Sequence, residues 1–259
     1  MTERRTINTI LFDVGGTLLD FESLDPRPYL AEGFRLGYEH LASLGHSLPP
    51  FERYARRMRR TITWRFLWSR FVQREMKLFE TMIAVHRALG VTLDHDTAVE
   101  LAWRVGLPMR RVGRADPHAR SVLLDLRERG YKLGIVSNTA TPPSALDRHL
   151  LEEDLLEFFA MRVYSCMVGY MKPHRRIFEI ALSRIGSAAE NAMYVGDKAE
   201  IDVRGAGRLG MVTVLKAPAG GPPDGRWRPD HVVKSLAELP GVLESYKSCQ
   251  PSVISNPPG

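Results

Sequence analysis

Short apolar runs recur along this chain: Ile7 to Phe12, Lys132 to Val136, Arg162 to Tyr164, Ala192 to Val195 and Met211 to Leu215. A run with no polar alternation suits a strand buried on both faces of a parallel sheet, where no side of the strand meets water. Between these runs the apolar spacing becomes helical, over Pro117 to Arg129, Pro173 to Ile185 and Ala199 to Leu209. Each helical segment is closed by a glycine, Gly130, Gly186 or Gly210, which tolerates the left-handed conformation at a helix end. Strand alternating with helix predicts an α/β chain, doubly wound around a mainly parallel sheet.

From Phe21 to Arg110 the alternation stops, and only helical periods remain. Leu30, Phe34, Tyr38 and Leu41 mark one stripe, and Met76, Phe79, Ile83 and His86 another. The predicted organisation is a core built from residues 1–20 and 111–246, interrupted by a smaller all-helical unit over 21–110. The polar, proline-rich stretch 247–259 is expected to fray.

Composition changes this picture little. The 259 residues are 44% hydrophobic and 25% charged, ordinary for a globular protein able to bury a large core. No apolar run reaches the length of a membrane span and no signal-peptide pattern opens the chain, so a cytoplasmic protein with no membrane partner is expected. Cys166 and Cys249 are far apart and outside any metal-ligand spacing, which predicts two free thiols.

Charge adds one local feature. The formal net charge is +6, and eight arginines fall between Arg53 and Arg74 without an acidic residue among them. Arg53, Arg56, Arg57 and Arg60 lie on one helical face, opposite Phe51, Ala55, Met58 and Ile62. That face is read first as a solvated one, and no nucleic-acid partner is expected from it. Trp64 and Trp68 are expected to pack the helical unit against the core, and the oligomeric state is left open.

Candidate chemistry gathers at strand ends. Asp13 follows the first run, Ser137 and Asn138 the second, and Asp197 the fourth. In an open parallel sheet the carboxyl ends of the strands share one edge, so these residues can converge there. Lys172, followed by Pro173 at the start of a predicted helix, adds a cation. Carboxylates with a hydroxyl and a lysine suit phosphoryl transfer, in which an anionic nucleophile must approach an anionic phosphate. A hard divalent cation bound through oxygen relieves that repulsion.

The segments LFDVGGTLLD (Leu11 to Asp20), GIVSN (Gly134 to Asn138), GYMKP (Gly169 to Pro173) and VGDKAEID (Val195 to Asp202) resemble, in order, the four motifs of the haloacid dehalogenase-like superfamily. The resemblance runs from about Ile7 to Tyr246. It implies a Rossmann-like core, a helical cap inserted after the first strand, and magnesium-dependent hydrolysis of a small phosphorylated substrate through an aspartyl-phosphate. It further implies that Asp13 is the nucleophile and, with Asp197 and the Gly15 carbonyl, a magnesium ligand. By the same resemblance Ser137 binds the phosphoryl group with Asn138 beside it, Lys172 neutralises charge, and Asp202 orients Lys172 or a water at the metal. Gly16 and Thr17 shape the phosphate pocket.

One position departs from the family pattern. Its phosphatases usually carry a second Asp two residues after the nucleophile as general acid, and here Gly15 stands there. Proton transfer of that kind is typically worth about 10²–10⁴ in rate. Four explanations stay open: a substrate with a good leaving group, a proton from elsewhere with Asp20 nearest in sequence, a chemistry like that of phosphonoacetaldehyde hydrolase using Lys77, or a phosphate-ligand binding protein without turnover.

Overall fold

A computed structural model describes residues 5–21, 25–72, 78–139, 142–221 and 225–248. In chain order it has β1 (Thr6–Ile7), β2 (Thr9–Phe12), β3 (Leu19–Asp20), α1 (Pro26–Ser43), α2 (Phe51–Val72), α3 (Leu78–Arg87), α4 (His95–Val112) and β4 (Arg114–Ala115). There follow α5 (Ala119–Glu128), β5 (Lys132–Ser137), α6 (Pro143–Glu152), β6 (Met161–Tyr164), α7 (Ser165–Val168), α8 (Arg175–Ile185) and β7 (Ala192–Gly196). After a π-helical turn over Ala199–Val203 come α9 (Arg204–Gly207), β8 (Val212–Lys216), β9 (His231–Val233), α10 (Leu239–Leu243) and β10 (Lys247–Ser248).

The main sheet is six-stranded and parallel, in the order β6-β5-β2-β7-β8-β9. Its side chains divide with the strand period. Ile10, Phe12, Leu133, Ile135, Met193 and Val195 pack with α5 and α10 on one face. Leu11, Val136, Ala192 and Tyr194 pack with α8 on the other. Burial of both faces is why the sequence shows unbroken apolar runs. Helices α1 to α4 surround a core of their own, with Phe34, Leu41, Tyr54, Met58, Met82, Val85 and Leu101 buried. The chain passes between core and helices through the antiparallel pair β3–β4, which the sequence pattern does not show because each strand is only two residues long.

Several expectations need correction. The first strand is broken at Asn8: β1 pairs with β10, while β2 alone enters the main sheet. The stretch expected to fray from residue 247 therefore begins with two paired residues. The helix expected at Pro173 starts at Arg175, with His174 Nδ1 accepting from the Arg176 amide at 3.1 Å. The face of α3 turned inward carries Met82, Val85 and His86, with Ile83 only partly covered. Trp64 and Trp68 do not pack helices onto core, since they are 68% and 66% exposed. The buried seam of α2 is Tyr54 and Met58, and the helix runs on past it. Met76, Lys77, Arg74, Cys249 and the tail from 249 lie outside the described residues; Cys166 forms no disulfide among the described residues.

Candidate active site

The switch in sheet order falls at β2, whose successor in the main sheet, β5, lies on one side while β7 lies on the other. Ligands bind in such sheets at the carboxyl ends of the strands beside that switch. There the structure brings together Asp13 after β2, Ser137 at the end of β5 and Asp197 after β7. The Asp13 amide donates to the Val195 carbonyl at 2.9 Å, which fixes the first residue beyond the strand in the sheet's own register.

Lys172 organises the site. Its ammonium lies 2.8 Å from Asp13 Oδ1, 2.7 Å from Asp202 Oδ1 and 2.8 Å from the Tyr194 hydroxyl oxygen. Asp202 and Tyr194 accept hydrogen bonds from it, while Asp13 Oδ1 is held beside it as an ion pair. Only 3% of Lys172 and 1% of Asp202 is exposed, so this pairing works in a medium that screens poorly. Burial opposes the Lys172 charge, yet Asp13 and Asp202 outweigh it and hold its pKa above the ordinary lysine value. Asp202 is pushed up to about 6, by burial first, with Lys172 pulling the other way. Its second oxygen accepts from the Lys198 amide at 3.0 Å.

Asp13, Asp197 and Asp202 each offer a carboxylate oxygen within 4.8 Å of the others. Against these three anions stand Lys172 and the half-exposed Lys198, whose ammonium is 3.1 Å from Asp197. Burial raises the Asp197 pKa, and the Asp13 charge raises it further against the pull of Lys198. This is a site with more negative charge than its own cations offset, and a hard divalent cation on oxygen ligands fits it.

Glycine permits the close approaches. Gly16 has φ of +78°, and a Cβ there would run into the Asp197 carboxylate. A Cβ on Gly196 would collide with Asp202. Thr17 is fully buried, and its hydroxyl has no partner among the described residues. Asn138 turns its amide to the backbone of Lys172, accepting from its N–H at 2.7 Å and donating to its carbonyl at 3.0 Å. That contact positions the lysine.

Sequence reasoning missed Tyr194, Lys198 and a second charged cluster. Tyr194 was readable in principle, being a hydroxyl inside an apolar strand that must find a partner; it donates to the Val136 carbonyl at 2.8 Å. The second cluster is Lys216, buried at the end of β8, with Asp116 at 2.7 Å, Asp20 at 2.8 Å and the Thr17 carbonyl at 3.0 Å. It ties the turn after β2 and both crossings to the helices onto one lysine. Asp20, the nearest alternative acid in sequence, is therefore engaged there. Beside Asp197 opens a cavity of about 430 Å³ lined also by Lys198, Glu200, Leu215, Arg226 and Trp227.

The charge network makes a stability prediction. Replacing Lys172 by Met leaves Asp13 and Asp202 buried without their shared cation, and such a loss costs about 3–5 kcal/mol. Chemical denaturation should show that loss without added metal, with part of it recovered in magnesium. An unchanged midpoint would mean that the lysine is not what neutralises the pair.

Residues 7–210 match the haloacid dehalogenase-like hydrolase family. A glyceraldehyde 3-phosphate phosphatase of Methanothermobacter thermautotrophicus is 39% identical over 102 residues, covering 39% of this chain and 44% of that protein. A phosphoserine phosphatase of Thermus thermophilus is 34% identical over 123 residues, 48% of this chain and 49% of the relative. The chain thus spans about half the length of the curated relatives it matches. Among solved structures, a phosphatase from Thermococcus onnurineus aligns with a TM-score of 0.62 at 24% identity, over 93% of this chain and all of that one. A 2-haloacid dehalogenase from Pseudomonas syringae aligns with a TM-score of 0.66 at 22% identity, over 92% and 99%. These two share the fold with this chain. The family match covers most of the sequence and contains all four motif segments, so this chain belongs to the haloacid dehalogenase-like hydrolases.

Proposed function

We propose that the protein is a magnesium-dependent phosphatase acting on a small phosphorylated molecule through an aspartyl-phosphate on Asp13. The carrying observation is the Lys172 ammonium shared between Asp13 and Asp202, with Asp197 inside the same carboxylate cluster. Displacing halide from a 2-haloacid needs no metal and would give the carboxylate cluster no cation to hold, whereas a phosphate dianion requires the cation it can hold. The phosphatase names of the relatives point the same way.

In this reading Asp13, Asp197 and the Gly15 carbonyl hold magnesium, which when bound supplies the charge that lets one anion approach another. Asp13 attacks phosphorus, the P–O bond to the leaving group breaks, and the departing oxygen takes a proton from solvent or carries the charge away. Water then cleaves the acyl phosphate and frees Asp13. Ser137 and the unpartnered Thr17 hydroxyl bind phosphoryl oxygens, and Lys172 neutralises them. Asn138 and Asp202 hold Lys172 in place. Helices α1 to α4 act as the cap over this edge, with residues 21–110 as its extent and 1–20 with 111–246 as the core. The cavity beside Asp197, bordered by Lys198 and Arg226, is of a size to take part of a small metabolite.

Gly15 supports a second reading, a phosphate-ligand binding protein without turnover. A panel of phosphorylated metabolites with magnesium, followed by phosphate release and thermal stabilisation together, separates the two: stabilisation without release identifies the binder. The same assay carries a pH prediction. The raised pKa values of Asp197 and Asp202 mean that the fold favours their protonated forms, so ionising them without metal costs stability as pH rises. A cation needs the ionised forms. The rise in unfolding temperature caused by magnesium should therefore be full above neutrality and shrink in the acid range where Asp197, its pKa raised by burial, takes up a proton. A magnesium effect independent of pH would place the ion elsewhere.

A further inference from the structure

Helix α2 carries seven arginines and one glutamate, a balance of +6 that equals the formal charge of the whole chain. The other residues together are neutral. At 100° per residue, Arg53, Arg56, Arg57, Arg60, Trp64, Leu67 and Trp68 fall within about 120° of arc and about 22 Å of helix. All seven are exposed, Trp64, Leu67 and Trp68 by 68%, 56% and 66%. The opposite side holds the buried Tyr54 and Met58 and is covered by the other helices. A row of arginines thus runs directly into a cluster of large apolar side chains, on the side of the helix turned away from its own core.

We propose that this stripe docks the protein on an anionic membrane surface, lying in the interface without crossing it. Among the described residues no helix is long and apolar enough to cross a membrane, so the contact proposed is peripheral. Charge complementarity selects the partner: arginines meet lipid phosphates, while two indoles, each with an apolar body and one N–H, suit the headgroup boundary. A second copy docked in parallel on this face would set one arginine row against another, and docked antiparallel would set arginines over indoles without supplying an anion to either row. A nucleic acid could use the arginines and the two indoles but gives Leu67 no apolar partner, whereas the lipid boundary takes the whole stripe.

The test is co-sedimentation of the full chain with vesicles of phosphatidylcholine, with and without phosphatidylglycerol. Binding is expected only to the anionic vesicles, weakening steeply with salt, with a blue shift of tryptophan emission. Two variants, Arg53→Glu/Arg57→Glu/Arg60→Glu and Trp64→Ala/Trp68→Ala, should each bind at least about tenfold more weakly. Both alter exposed residues only, and an unchanged unfolding temperature confirms that the fold is kept. Equal binding to neutral and anionic vesicles, or variants that bind like the wild type, overturns the proposal. So does tighter binding to single-stranded RNA than to the anionic vesicles, or a dimer that the tryptophan variant abolishes.

Discussion

On the proposed mechanism Asp13→Asn is expected to lower turnover by at least about 10⁴-fold, on the scale seen when a covalent nucleophile is deleted. The amide keeps the side-chain volume beside Lys172 and leaves the Asp13 backbone hydrogen bond to Val195 intact. Lys172 retains Asp202 and the Tyr194 hydroxyl as partners, so the variant should fold. What disappears is the anionic oxygen that, on the proposed mechanism, attacks phosphorus. Phosphate release measured with magnesium and a saturating substrate gives the fall, and an unfolding curve checks that the site is not merely disordered. Turnover kept within tenfold of the wild type would end the covalent mechanism, leaving the cluster as a ligand cradle.

The residues that carry this prediction were legible because the parallel sheet does the assembling. Once β2, β5 and β7 are recognised as buried strands, their ends must share one edge, and Asp13, Ser137 and Asp197 come together whatever lies between them in sequence. Lys172 and Asp202 follow from the motif order, but not their roles: that one ammonium bridges Asp13 and Asp202 depends on distances no periodicity encodes. Lys216 shows the limit well. Its partners Asp20 and Asp116 lie on the two crossings between core and helices, almost a hundred residues apart in sequence, and a lysine ending a strand looks like any exposed edge residue.

The helical layer was readable as a layer but not as surfaces. Tyr54 and His86 form a buried pair at 3.0 Å, and His86 also contacts the Met82 carbonyl at 2.7 Å. The stripe through His86 was visible, whereas Tyr54 was hidden inside a segment dominated by arginine. Trp64 and Trp68 mislead in the opposite sense. An aromatic residue at helical spacing normally signals packing, but α2 continues past its buried seam, and there the same spacing marks a surface.

Gly15→Asp should raise activity, by about 10²–10³ for alkyl phosphates and little for an aryl phosphate such as p-nitrophenyl phosphate. The difference arises because an alkoxide leaving group needs a proton as the P–O bond breaks, while a nitrophenolate departs without one. The backbone at Gly15 admits a side chain: a Cβ there would meet only the Phe21 ring within 4 Å, at 3.7 Å, an ordinary contact. Gly16, one residue on, could not be changed in this way, because of its φ of +78° and the Asp197 carboxylate against it. The other candidate acid, Asp20, is held 2.8 Å from Lys216. Measuring kcat for both substrate types in wild type and variant decides the matter. Equal gains on the two would show that protonation of the leaving group is not what limits the wild type, and no gain on either would favour the binding protein over the phosphatase.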